Sequence, residues 1–171
     1  MSQTSWTGEP FAVHLGVGEP LAQRLEYDAR AGGASVIRVD LAGVHDRDAL
    51  AELLAQTFMF PHETRGLDAA IDLISDLEWF GNPAGYLVIV TGMDQAPEVV
   101  APFARMLPNI VDRWRSQGGA FVVVLEGAES SGEAASALAS ANSALAAAGK
   151  LPWAQPGTGA VTIVDHTRES E

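Results

Sequence analysis

The chain has 171 residues, 47% hydrophobic and 19% charged, which is long and apolar enough to bury a core and rules out a disordered acidic tail. Its 22 acidic against 10 basic residues leave a net charge of −12, which excludes a protein that binds nucleic acid by displacing phosphate counterions with Lys and Arg. There is no Cys, hence no disulfide frame, no thiolate nucleophile and no Cys-ligated zinc.

Residues 1–10 are mostly polar, with Glu9 their single charged side chain, so they lack the basic and apolar stretches of a signal peptide. The apolar runs at 86–90 and 121–125 are strand-sized and too short to cross a bilayer. The expectation is a soluble cytoplasmic protein. Strands are predicted over 11–15 and 35–41, then a helix over 46–58 with Asp46 as N-cap and Leu50, Leu53, Leu54 and Phe58 at helical spacing. Gly16-Val17-Gly18 follows the first strand, and Asp40 lies at the end of the second. That is part of a dinucleotide fingerprint, with Leu21 at the third glycine position and no Lys or Arg beside the turn.

Pro61 interrupts the chain, and Gly66 precedes a helix predicted over 67–79, where Leu67, Ala70, Ile71, Ile74 and Leu77 form one apolar stripe. Gly81, Pro83 and Gly85 mark a loop into a strand at 86–90. Pro97, Pro102 and Pro108 predict two helices across 96–117, the second starting near Pro108 and stopped by Gly118-Gly119. A fourth strand covers 121–125. The Ala/Ser-rich stretch 127–149 reads as a helix beyond Gly132 that buries little area, its large apolar residues being Leu138 and Leu145. A fifth strand candidate lies at 160–164. Strands alternating with helices need crossover connections, so the class is α/β with a mainly parallel sheet. The expected organisation is one domain over 1–171, with the N-terminal strand-helix and the C-terminal helix-strand extending the sheet at its edges.

Asp68 and Asp72 stand one helical turn apart on the helix after Gly66, and Asp76 continues the line. Like charges so placed cost roughly 0.2–0.5 kcal/mol per pair. Asp68 recovers part of this in the first turn, where the macrodipole favours anions. No catalytic set accompanies these acids. His14, His45, His62 and His166 are scattered without the i,i+4 spacing of a metal pair, and there is no Gly-x-Ser-x-Gly nucleophile elbow. A carboxylate face without catalytic machinery suits a protein that binds a cationic partner. Neither metal nor cofactor is expected.

Phe60-Pro61, Gly66-Leu67-Asp68-Ala69, Asp72 and an aromatic at Trp79 or Phe80 come in an order that resembles the barstar family. The frame around them is similar too: a strand over 36–41, a helix over 46–58, Leu87-Val88-Ile89-Val90, a helix over 110–118 and Phe121-Val122-Val123-Val124-Leu125. The resemblance covers about residues 35–126. It implies a barstar-like fold core and an inhibitor, of antitoxin or immunity type, that plugs the active site of a basic secreted-type ribonuclease or toxin. Carried over by position, Asp68 and Asp72 would be the inhibitory carboxylates. Asp72 would stand in for a substrate phosphate against an Arg and His cluster. Glu63 and Arg65 would flank them, Ile71 would fill part of the contact and Asp76 would extend it. Complementary charge speeds such docking. Close ion pairs across it are worth several kcal/mol, a magnitude that belongs to measurements on this family's own complexes.

The chain also departs from the pattern. His62-Glu63-Thr64-Arg65 replaces an aromatic-rich loop, Ile71 stands where a tryptophan is expected, and Asp112, Arg113 and Gln117 occupy a helix that carries acidic contacts in the family. Two alternatives follow: a barstar-fold binding or scaffold protein with a non-nuclease partner, and a small nucleotide-binding α/β enzyme using the Gly16–Gly18 turn. The inhibitor reading requires both acids to face outward and not to be neutralised by the chain's own arginines.

Overall fold

The computed structural model describes residues 11–61, 66–80, 84–117, 120–127, 131–147 and 161–166. Strands β1 (Phe11–Val17), β2 (Ser35–Asp40), β3 (Tyr86–Thr91), β4 (Phe121–Glu126) and β5 (Thr162–Asp165) form one sheet in the order β2-β3-β4-β1-β5. Every pairing is parallel. Helices α1 (Glu19–Ala31), α2 (Arg47–Thr57), α3 (Gly66–Ile74), α4 (Pro97–Gln117) and α5 (Ser131–Ala147) provide the crossovers.

The continuous apolar runs are explained by burial on both sides. Tyr86, Val88 and Val90 of β3 face the larger core with α2, α3, α4 and α5, while Leu87 and Ile89 face a smaller one with α1. Phe121, Val123 and Leu125 of β4 alternate with Val122 and Val124 in the same way. In β1 the register shifts between His14 and Val17, around Gly16 at φ +64°, and Val17 turns to the α1 side. A void in the main core, about 10 Å³ and lined by apolar side chains, is at the limit for a single water. The interior therefore offers no ligand chamber there.

The added strands outside 35–126 both join the sheet beyond β4, and α1 covers its second face. β1 lies between β4 and β5, so it is an internal strand, and β5 is the edge. Asn142 of α5 fixes this side: its Nδ2 donates to the Val161 carbonyl at 2.9 Å and its Oδ1 accepts from the Val161 N–H at 2.8 Å. The other edge of the sheet is β2, where Gly92 at the end of β3 has φ +76°. A Cβ there would lie 2.6 Å from the Ala42 nitrogen, so only glycine lets the two strand ends approach.

Two helix predictions are corrected. The span 96–117 is the single helix α4, with Pro102 and Pro108 inside it. Each internal proline costs about 3 kcal/mol. Against that, α4 buries Val99, Val100, Phe103, Met106, Leu107, Ile110, Val111 and Trp114, at about 1.5–3 kcal/mol apiece, so packing overrides the break. Conversely, the helix predicted over 67–79 ends at Ile74. Leu77, fully buried, adopts φ +50°, and a short 3₁₀ turn covers Glu78–Phe80.

Candidate partner-binding site

α3 is placed by its apolar stripe. Ala70 and Ile74 are buried, and Leu67 and Ile71 are partly buried against the main core. Trp114 of α4 donates its indole N–H to the Ile74 carbonyl at 2.9 Å, pinning the helix end. The preceding segment is held by Trp79, whose N–H reaches the Phe58 carbonyl at 2.9 Å and whose ring meets Phe60 edge-on at 6.3 Å. Both tryptophans thus serve packing, each with its polar hydrogen satisfied. Asp46 caps α2 as predicted, accepting from the Ala49 N–H at 2.8 Å.

With the apolar stripe inward, Asp68 and Asp72 both face solvent. Asp68 lies in the first turn and has no ion-pair partner among the described residues. Asp72 is different. Arg113 of α4 places Nη1 2.6 Å from its Oδ1, with 47% of the arginine side chain and 69% of the aspartate side chain exposed. Among the described residues, the condition that the chain's own arginines leave the acids alone is met at Asp68 and not at Asp72. Asp76 is corrected: it lies in the turn past the end of α3, so it does not continue the helical line. It faces Tyr86 electrostatically. Burial raises the Tyr86 phenol above its ordinary value and the Asp76 charge raises it further. Ile71 lies half-buried beside Asp72. Glu63, Arg65 and the rest of the 62–65 loop lie outside the described residues.

On α4, Asp112 is turned inward at 6% exposure and is no surface contact. Sequence reasoning missed the cations near α3. Arg47 and Arg105, with Leu67, Asp68, Ile71, Pro102 and Met106, line a groove between α2, α3 and α4 of about 180 Å³. It also missed Met59, just before the loop, which is 61% exposed with a left-handed backbone at φ +52°.

The histidines are not all scattered. His14 on β1 and His166 after β5 stack with centroids 5.2 Å apart and a 2.9 Å nitrogen–nitrogen contact. No group of three His, Cys, Asp or Glu able to hold a metal occurs among the described residues. Gly16 and Gly18 open on a crevice of about 390 Å³ at the strand ends, together with Glu19, Asp94 and Glu126. Those carboxylates repel a phosphate. In addition, β3 and β4 separate β1 from β2, so the glycine turn and Asp40 stand three strand spacings apart, roughly 14 Å. A dinucleotide fingerprint needs them on adjacent strands. No helix among the described residues is long and apolar enough to cross a membrane.

A comparison with the curated proteins finds no match. The model of the family described as Barstar (barnase inhibitor) matches residues 34–126, slightly more than half of the chain, a span that includes β2, α2, α3, β3, α4 and β4. The chain belongs to the Barstar family, an inhibitor family and not an enzyme family.

Proposed function

We propose that this chain inhibits a barnase-type ribonuclease by laying α3 over the enzyme's cationic active site, an antitoxin or immunity role. The observation that carries the reading is the pairing of family membership with two solvent-facing carboxylates one turn apart on α3. Asp68 meets the enzyme's cations directly, and Asp72 takes the place of a substrate phosphate. Glu63, Arg65 and Ile71 border this contact, and Asp76 stands at its margin.

The Arg113–Asp72 pair weighs against the reading, and its magnitude decides how much. An ion pair this exposed is worth about 0–1 kcal/mol. A carboxylate at the centre of a desolvated interface contributes more than about 2 kcal/mol. Displacing Arg113 therefore lowers affinity by no more than about fivefold and does not prevent docking. Asp72→Ala is expected to weaken inhibition of a barnase-type ribonuclease by more than about 2 kcal/mol, roughly 30-fold, with little change in folding stability. Calorimetric titration of barnase measures this, and wild-type affinity in the variant removes Asp72 from the site.

A second reading is a barstar-fold binding protein with a non-nuclease partner. It is favoured by three guanidinium groups, Arg47, Arg105 and Arg113, close to the two acids. Co-purification with mass spectrometry, alongside inhibition assays on a ribonuclease panel, separates the two. Capture of a non-nuclease with no ribonuclease inhibited selects the second.

A further inference from the structure

The groove between α2, α3 and α4 has features that a purely acidic plug does not need. Its volume of about 180 Å³ exceeds the 10–15 Å³ that one water requires by about tenfold. Leu67, Ile71 and Pro102 are half-buried and Met106 is buried, so its floor is apolar; Arg47, Arg105 and Asp68 are exposed on its rim. Neither arginine has an ion-pair partner among the described residues. Arg47 also lies in the first turn of α2, where the helix macrodipole disfavours a cation. Local helix energetics therefore gives no reason for it. Among the described residues, two guanidinium groups and one carboxylate give the rim a net positive charge, on a chain whose total is −12.

We propose that this groove seats an apolar side chain of the partner protein with an acidic residue next to it. The apolar group enters over Leu67, Ile71 and Met106, and Arg47 and Arg105 clamp the neighbouring carboxylate. Guanidinium suits this task because its planar fork donates two parallel hydrogen bonds to a carboxylate. The proposal rests on α3 being a docking surface, and it specifies the partner further: its contact face carries both signs, a cation for Asp68 and Asp72 and an acid for the two arginines. The groove is thereby a specificity device. A uniformly basic protein reaches the acids and is repelled at the rim, which discriminates among basic ribonucleases by an unfavourable contact as well as by favourable ones.

The test uses the full chain and two blocked dipeptides, N-acetyl-Glu-Phe-amide and N-acetyl-Lys-Phe-amide, titrated by ¹⁵N–¹H NMR. The expected result is saturable shifts at Leu67, Ile71 and Arg105 with a millimolar Kd for the Glu peptide, at least fivefold weaker for the Lys peptide. The Arg47→Glu/Arg105→Glu variant loses that preference and Asp72→Ala keeps it. No saturable shift, or equal binding of the two peptides to the wild-type chain, overturns the proposal without reference to any ribonuclease. A second arm separates it from the α3 reading. If Asp72→Ala loses inhibition of a ribonuclease and the double arginine variant retains it, the groove falls and α3 stands. If the Glu peptide binds as expected and no ribonuclease is inhibited, the groove stands and the nuclease reading falls.

Discussion

Arg113 and an incoming cation compete for the same Asp72 carboxylate. Because the pair is exposed on both sides, its loss should barely affect folding. Arg113→Ala is therefore expected to shift unfolding free energy by less than about 1 kcal/mol and to tighten binding of a cationic partner by up to about fivefold. Urea titration and calorimetry measure the two; weaker binding in the variant would show that Arg113 is itself a contact. Glu126, in the acidic crevice, has a carboxyl pKa raised above the ordinary glutamate value. Burial raises it most; Arg38 lowers it and Glu19 raises it further. The native state thus holds this proton more tightly than the unfolded chain. The stabilisation is complete below the unfolded value and disappears as pH rises through the folded one. Glu126→Gln should consequently gain stability relative to wild type between pH 4 and pH 7. A gap that shrinks over that range in urea melts would contradict the assignment.

At the scale of elements, the strands were legible because a strand buried on both faces is written as an unbroken apolar run, as in Tyr86–Thr91 and Phe121–Glu126. The Asp46 cap was equally legible, since its mechanism is local. Long-range packing was not. Dividing 96–117 at its prolines hid the fact that Arg105 and Arg113 lie two turns apart on one helix, and so hid both the pairing with Asp72 and the groove. The buried left-handed Leu77 that follows α3 has no sequence signal, because a bulky residue at positive φ is held only by its surroundings. The His14–His166 contact spans 152 positions and depends on β5 adding to β1. That addition is secured by Asn142, whose amide bonds both backbone groups of Val161. Asn142→Ala leaves a buried donor and a buried acceptor unpaired at about 1–3 kcal/mol each. Hydrogen exchange should then accelerate in β5 and along the β1 edge facing it, while β2 and β3 keep wild-type protection. Uniform acceleration across the sheet would mean that β5 is not a separable unit.

Charge acts on the whole molecule in two opposite ways. Near α3 the field is mixed, since Arg113 lies 2.6 Å from Asp72 and Arg47 and Arg105 share a groove with Asp68. From far away a partner meets the total of −12. The Debye length falls from about 30 Å at 0.01 M salt to about 8 Å at 0.15 M, so added salt removes the long-range attraction and leaves the close contacts. Association with a basic partner should slow by about tenfold or more over that range, while dissociation changes little. The same screening relieves repulsion among the 22 acids, so the free protein should become more stable as its association slows. Stopped-flow association and urea unfolding across a salt series test the two signs together. A rate insensitive to salt, with stability still rising, would mean that the net charge serves solubility and does not guide docking.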